Sequence, residues 1–274
     1  MASLACVEAV TRERKGCDEL TSNPLALQLY TVRDELAAGR AAVLAAIRSF
    51  GYGAVEPYDV RQDPDALRAD LDEAGLAVCS VHARALGEDA AALLDGARRV
   101  GADTVIVPSV PAARFADRAA VTALARDLNE AAARAADAGL RFGYHNHAFE
   151  FAQVDGRAGL EVLADALEAG VLLEVDTYWA AVGSQDPDAV PALLGRLGDR
   201  VRYLHVKDGP VTKDDPMTAV GTGRMPVAEI LAAAPAAEWH VVELDRCATD
   251  MLTAVRASID WLTARGLATA ATGR

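Results

Sequence analysis

The chain has 274 residues, about half of them hydrophobic, and a formal net charge of -13. Such an acidic chain is a poor match for a nucleic-acid backbone, because that affinity rests on clustered Lys and Arg. No apolar run approaches the ~20 residues needed to cross a bilayer, and the first residues lack the long apolar stretch of a signal peptide. We therefore expect a cytoplasmic protein that binds neither nucleic acid nor a membrane.

Short apolar or β-branched runs alternate along the chain with Ala-rich segments that carry apolar residues at i, i+3, i+4 and i+7. The predicted strands are residues 25–31, 54–58, 77–83, 104–109, 141–147, 171–177, 201–208 and 239–245. Eight such repeats in this length predict an α/β fold, a (β/α)₈ TIM barrel of one domain. A doubly wound open sheet is the alternative, but no GxGxxG follows the first strand. We expect the barrel to span 23–268 and residues 1–22 to form an N-terminal tail or extra segment.

Three predicted strands end in ligand-type residues. Asp176 ends "VLLEVD", His205 lies in "LHVKD" and Glu243 lies in "VVELD". Because the chemistry of a TIM barrel gathers at the C-terminal ends of its strands, these side chains are expected to converge. A carboxylate, an imidazole and a carboxylate suit one divalent ion, with Mn²⁺ preferred over Mg²⁺, Co²⁺ or Zn²⁺. The alternative is a buried salt-bridge network in which His205 is protonated.

The chain resembles the xylose-isomerase-like barrel superfamily, in its branch of sugar phosphate isomerases and epimerases. The resemblance runs from Leu25 to Leu262. It rests on "LALQLYTVRDEL", "GYGAVEPY", "SVHA", "GADTVIVPS", "YHNHAFEF", "LEVDTYW", "HVKDGP", "GTG" and "VVELD". It implies a metal held by a Glu-Asp-His-Glu set, three of whose positions correspond to Asp176, His205 and Glu243. It also allows for a homo-oligomer, because members are often dimers or tetramers.

The fourth ligand position departs from the family pattern. His145 of "YHNHAFE" stands where relatives carry a metal-binding Glu. Glu150, in the following loop, His145 itself and His147 are the candidates. We favour Glu150, because a third carboxylate better suits a hard ion.

The resemblance implies chemistry on a sugar or keto-sugar, at the carbon next to a carbonyl. The ion would stabilise a cis-enediolate while side chains move the proton. Glu243 is the expected acid/base, with Glu150, His145 or Lys207 in the second role. Lys207 could instead form a surface pair with Asp208. The "GTGRM" loop at 221–225 is too weak a signal to predict a phosphorylated substrate. The expected sugar-binding residues are Glu56, His82, His145, His147, Tyr178 and Trp179.

The prediction is thus a metal-dependent isomerase or epimerase. A lyase on the same fold, resembling inosose dehydratases or enzymes that cleave 3-keto-glycosides, is the main alternative, and "YHNH" resembles the histidine-rich strand of the dehydratases. An endonuclease for abasic DNA is disfavoured by the acidic charge and by the presence of only five histidines. The last alternative is a non-catalytic barrel, which would bind no metal.

Overall fold

The computed structural model describes residues 23–58, 60–87 and 89–271. The predicted N-terminal segment, residues 1–22, lies outside this part of the chain. Among the described residues, no helix combines the length and the hydrophobicity that crossing a lipid bilayer requires.

Parallel strands form a nearly closed barrel, which confirms the predicted fold. The strands are β1 (Leu25–Gln28), β2 (Ala54–Glu56), β3 (Ala77–Val78), β4 (Val81–His82), β5 (Thr104–Val107), β6 (Arg141–His145), β7 (Gln153–Val154), β8 (Arg157–Ala158), β9 (Val171–Asp176), β10 (Val201–Val206) and β11 (Trp239–Val242). Nine of them pair in the order β3, β2, β1, β11, β10, β9, β6, β5, β4, and β7 pairs with β8 as a separate hairpin. Because β3 and β4 are two pieces of one predicted strand, the nine strands fill the eight positions of a TIM barrel.

The third barrel position is interrupted at Cys79 and Ser80. The strand piece before the break pairs with β2, and the piece after it pairs with β5. At the break, the Ser80 hydroxyl donates to Glu56 Oε1 over 2.5 Å, and the Cys79 amide still donates to the Val55 carbonyl over 3.1 Å. The two pieces of this interrupted strand thus connect the two edges of the sheet, β2 on one side and β5 on the other.

Helices surround the barrel. In the described ranges they are α1 (Arg33–Phe50), α2 (Pro64–Ala74), α3 (Ala90–Val100), α4 (Arg118–Asp137), α5 (Gly159–Ala166), α6 (Thr177–Ser184), α7 (Val190–Leu197), α8 (Val227–Ala232) and α9 (Met251–Ala264). The Asp63 carboxylate accepts from the Ala66 amide at the start of α2, with Pro64 in the first turn. Gly75, with a φ of 71°, ends that helix in the left-handed conformation that favours glycine.

The barrel interior changes from apolar to polar along its strands. Ala26 pairs with Ala54 on one side and with Val241 on the other. These side chains belong to one small apolar cluster. Residues two positions further along each strand face the same way, and there the side chains are polar. These are Gln28, Glu56 and Glu243, all of them buried. The polar end of the barrel therefore lies directly above an apolar layer, at the C-terminal ends of the strands.

Candidate functional site

A connected cluster of buried polar side chains occupies the C-terminal end of the barrel. Every member is at most 8% exposed, so water cannot solvate these charges and they must stabilise one another or a ligand. The members are Gln28, Glu56, His82, His145, Glu174, Asp176, His205, Lys207 and Glu243.

The deeper half of the cluster, the inner layer, is built around the carboxylate of Glu174. Its Oε2 atom lies 2.6 Å from His82 Nε2, 2.9 Å from His145 Nδ1 and 3.1 Å from His205 Nε2. Glu56 Oε2 is a second acceptor, 2.8 Å from the same nitrogen of His205. Two carboxylates thus hold three imidazole rings in fixed orientations.

The shallower half of the cluster, the outer layer, contains the side chains of Asp176, Lys207 and Glu243. It also includes the ring nitrogens of His145 and His205 that face away from the inner layer. His145 Nε2 lies 3.7 Å from Asp176 Oδ2, and His205 Nδ1 lies 2.7 Å from Glu243 Oε2. His145 and His205 therefore each bind a carboxylate of the inner layer with one nitrogen and present the other nitrogen to the outer layer. A metal-binding histidine has the same arrangement, because its second nitrogen donates to a carboxylate that fixes the ring.

The protonation states of these histidines differ. Burial lowers the pKa of His145 well below its usual range, despite the hydrogen bond to Glu174. A neutral His145 that donates from Nδ1 to Glu174 keeps a lone pair on Nε2, facing Asp176. Burial also opposes the charged form of His205, but Glu174, Glu243 and Glu56 outweigh it and raise the pKa of that imidazole well above its usual range. Without a metal ion, His205 is thus the charged partner of the surrounding carboxylates.

The outer carboxylates titrate in opposite directions. Burial raises the pKa of Asp176 to about 6, although Lys207 and His205 act against it. Burial acts the same way on Glu243, but there the charges of Lys207 and His205 prevail and hold the pKa well below its usual range. Lys207 and His205 thus stabilise the ionised form of Glu243 more strongly than that of Asp176.

Lys207 lies inside the cluster and does not form the surface pair considered from the sequence. It is 1% exposed. Its Nζ atom lies 2.8 Å from Asp176 Oδ2, 2.6 Å from Glu243 Oε2 and 2.9 Å from Asp245 Oδ2. These carboxylates raise the pKa of Lys207 well above its usual range although burial opposes this, so it remains an ammonium ion.

The outer layer fits a divalent metal ion. Ligand atoms of His145, Asp176, His205 and Glu243 all lie within 4.8 Å of one another. Asp176 Oδ2 forms an ion pair with Lys207, yet it is buried and accepts no hydrogen bond of acceptable geometry from the described residues. Such an oxygen keeps a lone pair for a metal ion beside the Lys207 ammonium. A second group of four, His82, His145, Glu174 and His205, lies equally close together, but Glu174 already engages a nitrogen of each of its histidines.

Glu150, the favoured fourth ligand, is in neither group. Its Oε1 accepts from the Tyr144 hydroxyl over 2.8 Å, and its Oε2 accepts from the His147 amide over 3.0 Å. The short 3₁₀ turn Phe149–Phe151 directs the carboxylate to these partners. Burial raises the pKa of Glu150 to about 7, against the hydrogen bond from Tyr144. The geometry therefore brings His145, rather than Glu150, to the outer layer.

The predicted aromatic residues separate into two environments. His147 stacks between Phe149, 6.0 Å away, and Trp179, 6.3 Å away between ring centroids. Lys207 Nζ lies 5.8 Å from the Trp179 centroid, so Trp179 backs the cluster. Tyr178 instead points to the loop that follows β10, where its hydroxyl bonds the main chain of Thr212 in both directions at 3.2 Å. Tyr178, an expected sugar-binding residue, is therefore not among the described residues that line the cavity.

Tyr178 leaves the strand direction because helix α6 begins directly after Asp176. The Oδ1 atom of Asp176 accepts from the Trp179 amide over 2.8 Å and caps α6. The residues after Asp176 therefore follow the helical period, and they no longer alternate across the sheet. One carboxylate thus caps a helix with one oxygen and offers the other to the outer layer.

A cavity of about 950 Å³ opens above the cluster. Its floor includes His82, His145, His147, Lys207 and Glu243. Its outer wall includes Tyr30, Tyr58, Arg61, Arg84, Asp89 and Asp245. Among the predicted sugar-binding residues, His82, His145 and His147 face this cavity, whereas Glu56 is covered beneath it and bonded to Gln28, Ser80 and His205.

The "GTGRM" loop binds a carboxylate of the protein itself. Asp208 is buried, and its two oxygens accept from the amides of Gly209, Gly221, Gly223 and Met225 at 2.8–3.0 Å. The amides that a phosphate-gripping loop would offer are therefore already used within the chain.

Glu174 is the central residue that the sequence reasoning did not select. Alternation puts it on the same face as Asp176, and this was the available signal. Glu174 lies two residues before the strand end, further from the rim than Asp176. Gln28 and Ser80, which bind Glu56, carried no signal as isolated polar residues.

Residues 44–265 match the family model described as xylose isomerase-like TIM barrel. The chain therefore belongs to this family, as its motifs indicated. A search of curated proteins gave no match.

Solved structures of low sequence identity share the fold. A sugar phosphate isomerase/epimerase from Parabacteroides distasonis is 23% identical, with a TM-score of 0.76 over 90% of this chain and 96% of that one. A D-allulose 3-epimerase from Methylomonas sp. is 16% identical, with a TM-score of 0.61 over 89% and 98%. A probable 3-DHS dehydratase from Bacillus anthracis is 12% identical, with a TM-score of 0.66 over 88% and 98%.

Proposed function

We propose that this chain is a divalent-metal-dependent sugar isomerase or epimerase whose single ion is held by His145, Asp176, His205 and Glu243. The observation that supports it is the two-layer arrangement, in which inner carboxylates orient both imidazoles while their other nitrogens meet Asp176 and Glu243. Two imidazoles and two carboxylates suit Mn²⁺ first, and also Co²⁺, Zn²⁺ or Mg²⁺. Similar folds named as isomerase/epimerase and D-allulose 3-epimerase are consistent with a sugar substrate.

The proposed chemistry uses the residues on the cavity floor. When bound, the ion would supply Lewis-acid polarisation of a substrate carbonyl and a neighbouring hydroxyl. Glu243 faces the cavity, and its low pKa keeps it ionised at neutral pH, so we assign it the removal of the proton from the adjacent carbon. The Lys207 ammonium stabilises negative charge on a substrate oxygen. His147, whose pKa burial lowers to about 4, binds a hydroxyl as a neutral ring.

The floor also supports a lyase as the second candidate. Glu243 is the carboxylate on this floor, and the other ionisable side chains there are His82, His145, His147 and Lys207. One base on one face can remove a proton, and a neighbouring histidine can assist a leaving group at the next carbon. The similar fold of a probable 3-DHS dehydratase is consistent with this alternative.

Metal analysis and solvent exchange test the proposal. The purified protein is expected to bind one equivalent of Mn²⁺, measured by elemental analysis after dialysis. The loaded protein is then incubated in D₂O with ketoses, inososes and 3-keto-glycosides. Deuterium at carbon is expected with at least one class, and the product distinguishes rearrangement from elimination. Absence of both metal and exchange would favour a non-catalytic barrel.

A set of variants tests the ligands. We expect Asp176→Ala and Glu243→Ala to lose the metal and still fold by circular dichroism. We expect His145→Ala to weaken Mn²⁺ binding in calorimetry, while Glu150→Gln leaves it within about twofold of the wild type. The reverse result for the last two would assign the fourth position to Glu150.

A further inference from the structure

Two tyrosines stand at the outer wall of the cavity. Tyr30 is 41% exposed and Tyr58 is 36% exposed, and among the described residues these two are the large hydrophobic side chains that face solvent. Their rings pack edge to face, with centroids 5.4 Å apart and an interplanar angle of 86°. Both line the cavity whose floor carries Lys207 and Glu243. Exposed aromatic surface concentrated at one cavity is typical of a ligand site.

The Tyr30 ring is held in place by the rest of the fold. The guanidinium of Arg33 lies 4.3 Å from its centroid and donates to the carbonyls of Tyr30 and Asp245. The Tyr30 amide donates to Gln28 Oε1 over 3.0 Å, and Gln28 Nε2 donates to Glu56 Oε2 over 2.6 Å. The Gln28 side chain thus connects the main chain of Tyr30 to Glu56 of the inner layer. A ring fixed in this way can bind a ligand with little loss of side-chain entropy.

The size of the cavity calls for a ligand larger than one sugar ring. Its volume of about 950 Å³ is near the upper end of the ~300–1,000 Å³ found for sites of drug-sized ligands. Its floor carries Glu243, and its outer wall carries the tyrosine pair. A ligand with a second ring would fill both parts.

The charges on the outer wall favour a neutral ligand. Among the described lining residues of the whole cavity, three cations, Arg61, Arg84 and Lys207, are balanced by three carboxylates, Asp89, Glu243 and Asp245, and Arg61 Nη1 lies 3.3 Å from Asp89 Oδ2. A phosphate would require an excess of donors and positive charge at one point. The C–H face of a pyranose is apolar and packs on an aromatic ring, while its hydroxyls bond to charged side chains around it.

We propose that Tyr30 and Tyr58 form a second sugar subsite, so that the enzyme acts on a neutral glycoside whose inner unit lies at Glu243 and whose outer pyranose packs on the tyrosine pair. The role of the inner unit rests on the proposed function. The outer subsite rests only on the tyrosines and the cavity.

Binding measurements on the protein in excess Mg²⁺ test the subsite. The probes are methyl glycosides of glucose, galactose, mannose and xylose, and disaccharides that extend each of them by one pyranose. We expect at least one disaccharide to bind about three- to tenfold more tightly than its methyl glycoside. Tyr30→Ala and Tyr58→Ala should abolish that ratio and leave methyl glycoside binding unchanged, whereas Tyr30→Phe should retain it.

Phe50→Ala is the matched control. Phe50 is a half-buried aromatic residue with the Arg256 guanidinium 5.9 Å from its centroid, and it ends α1 outside the cavity lining. This variant should keep the disaccharide ratio, and melting curves should show that all variants fold. Three results would each overturn the subsite: equal binding of one and two rings, a ratio that survives both alanine variants, or a preference for sugar phosphates that Arg84→Ala removes.

The two proposals fail separately. Deuterium exchange into keto-sugars without any disaccharide preference would retain the metal-dependent function and refute the subsite. A tyrosine-dependent disaccharide preference in a protein that neither binds metal nor exchanges deuterium would retain the subsite and refute the function.

Discussion

Replacing Lys207 by Met tests the charge balance of the outer layer. The lysine ammonium lies within 2.6–2.9 Å of carboxylate oxygens of Asp176, Glu243 and Asp245. Met preserves most of the apolar stem and removes the charge. Without the ammonium, the buried carboxylates of Asp176 and Glu243 face each other with His205 as the nearest remaining cation.

The expected loss of stability follows from burial. Removing one partner of a buried ion pair costs about 3–5 kcal/mol, because the other charge stays in the interior without compensation. Asp176 and Glu243 are almost completely buried, so both contribute to this cost. The Asp245 side chain is 31% exposed and is solvated in part, so its contribution is small. We expect the free energy of unfolding of metal-free Lys207→Met to fall by about 3–5 kcal/mol.

Urea unfolding with chelator and with excess Mn²⁺ measures the effect. A bound ion supplies the positive charge that the lysine provided, so Mn²⁺ should stabilise Lys207→Met more than it stabilises the wild type. Lys213→Met is the matched control, because Lys213 is exposed, and it should behave as the wild type. The reasoning is refuted if the metal-free Lys207→Met protein unfolds at the wild-type urea concentration, or if Mn²⁺ stabilises both proteins equally.

Two further predictions concern stability alone. The ordinary pKa of a glutamate is 4.5, and burial raises that of Glu150 to about 7, so between these values the folded state holds a proton that the unfolded state releases. The contribution of Glu150 to stability should fall by up to about 3 kcal/mol as the pH rises through this window. Asp176, whose pKa burial raises to about 6, adds a slope of the same sign, so Glu150→Gln should reduce the overall slope in urea titrations without abolishing it; an unchanged slope would contradict the pKa assignment. A Cβ added at Gly223 would lie 2.1 Å from Asp208 Oδ1, so Gly223→Ala should lower the melting temperature by several degrees. Gly195→Ala is its counterpart on the exposed face of α7, where nothing lies within 4 Å, and it should melt at the same or a higher temperature; equal losses in both would argue against the close contact.

The barrel could be predicted from the sequence because its signals are local. Apolar alternation, helical periods and terminal glycines repeat along the chain, and each is set by backbone geometry over a few residues. The same period-2 rule put Asp176, His205 and Glu243 at the ends of successive strands. In a closed parallel barrel those ends lie at one rim, so the side chains meet at one place.

The fourth outer-layer residue could not be chosen from the sequence. His145 and Glu150 are five residues apart, and the choice depends on a 3₁₀ turn that directs Glu150 towards Tyr144 and the His147 amide. Tyr178 shows the same limit, because the cap formed by Asp176 replaces strand alternation by a helix. Local pattern rules fail where one element ends and the next begins.

The contacts that connect distant segments were decided only by the tertiary structure. Glu174 binds His82, which lies 92 residues away in the chain, and Lys207 reaches Asp245, which lies 38 residues away. The pairing of Tyr30 with Tyr58 likewise depends on two neighbouring strand ends meeting at the cavity. The sequence determined which residue types line the rim, because strand periodicity is a property of the local backbone. Closure of the barrel determined their partners, because only the packed sheet sets distances between side chains far apart in the chain.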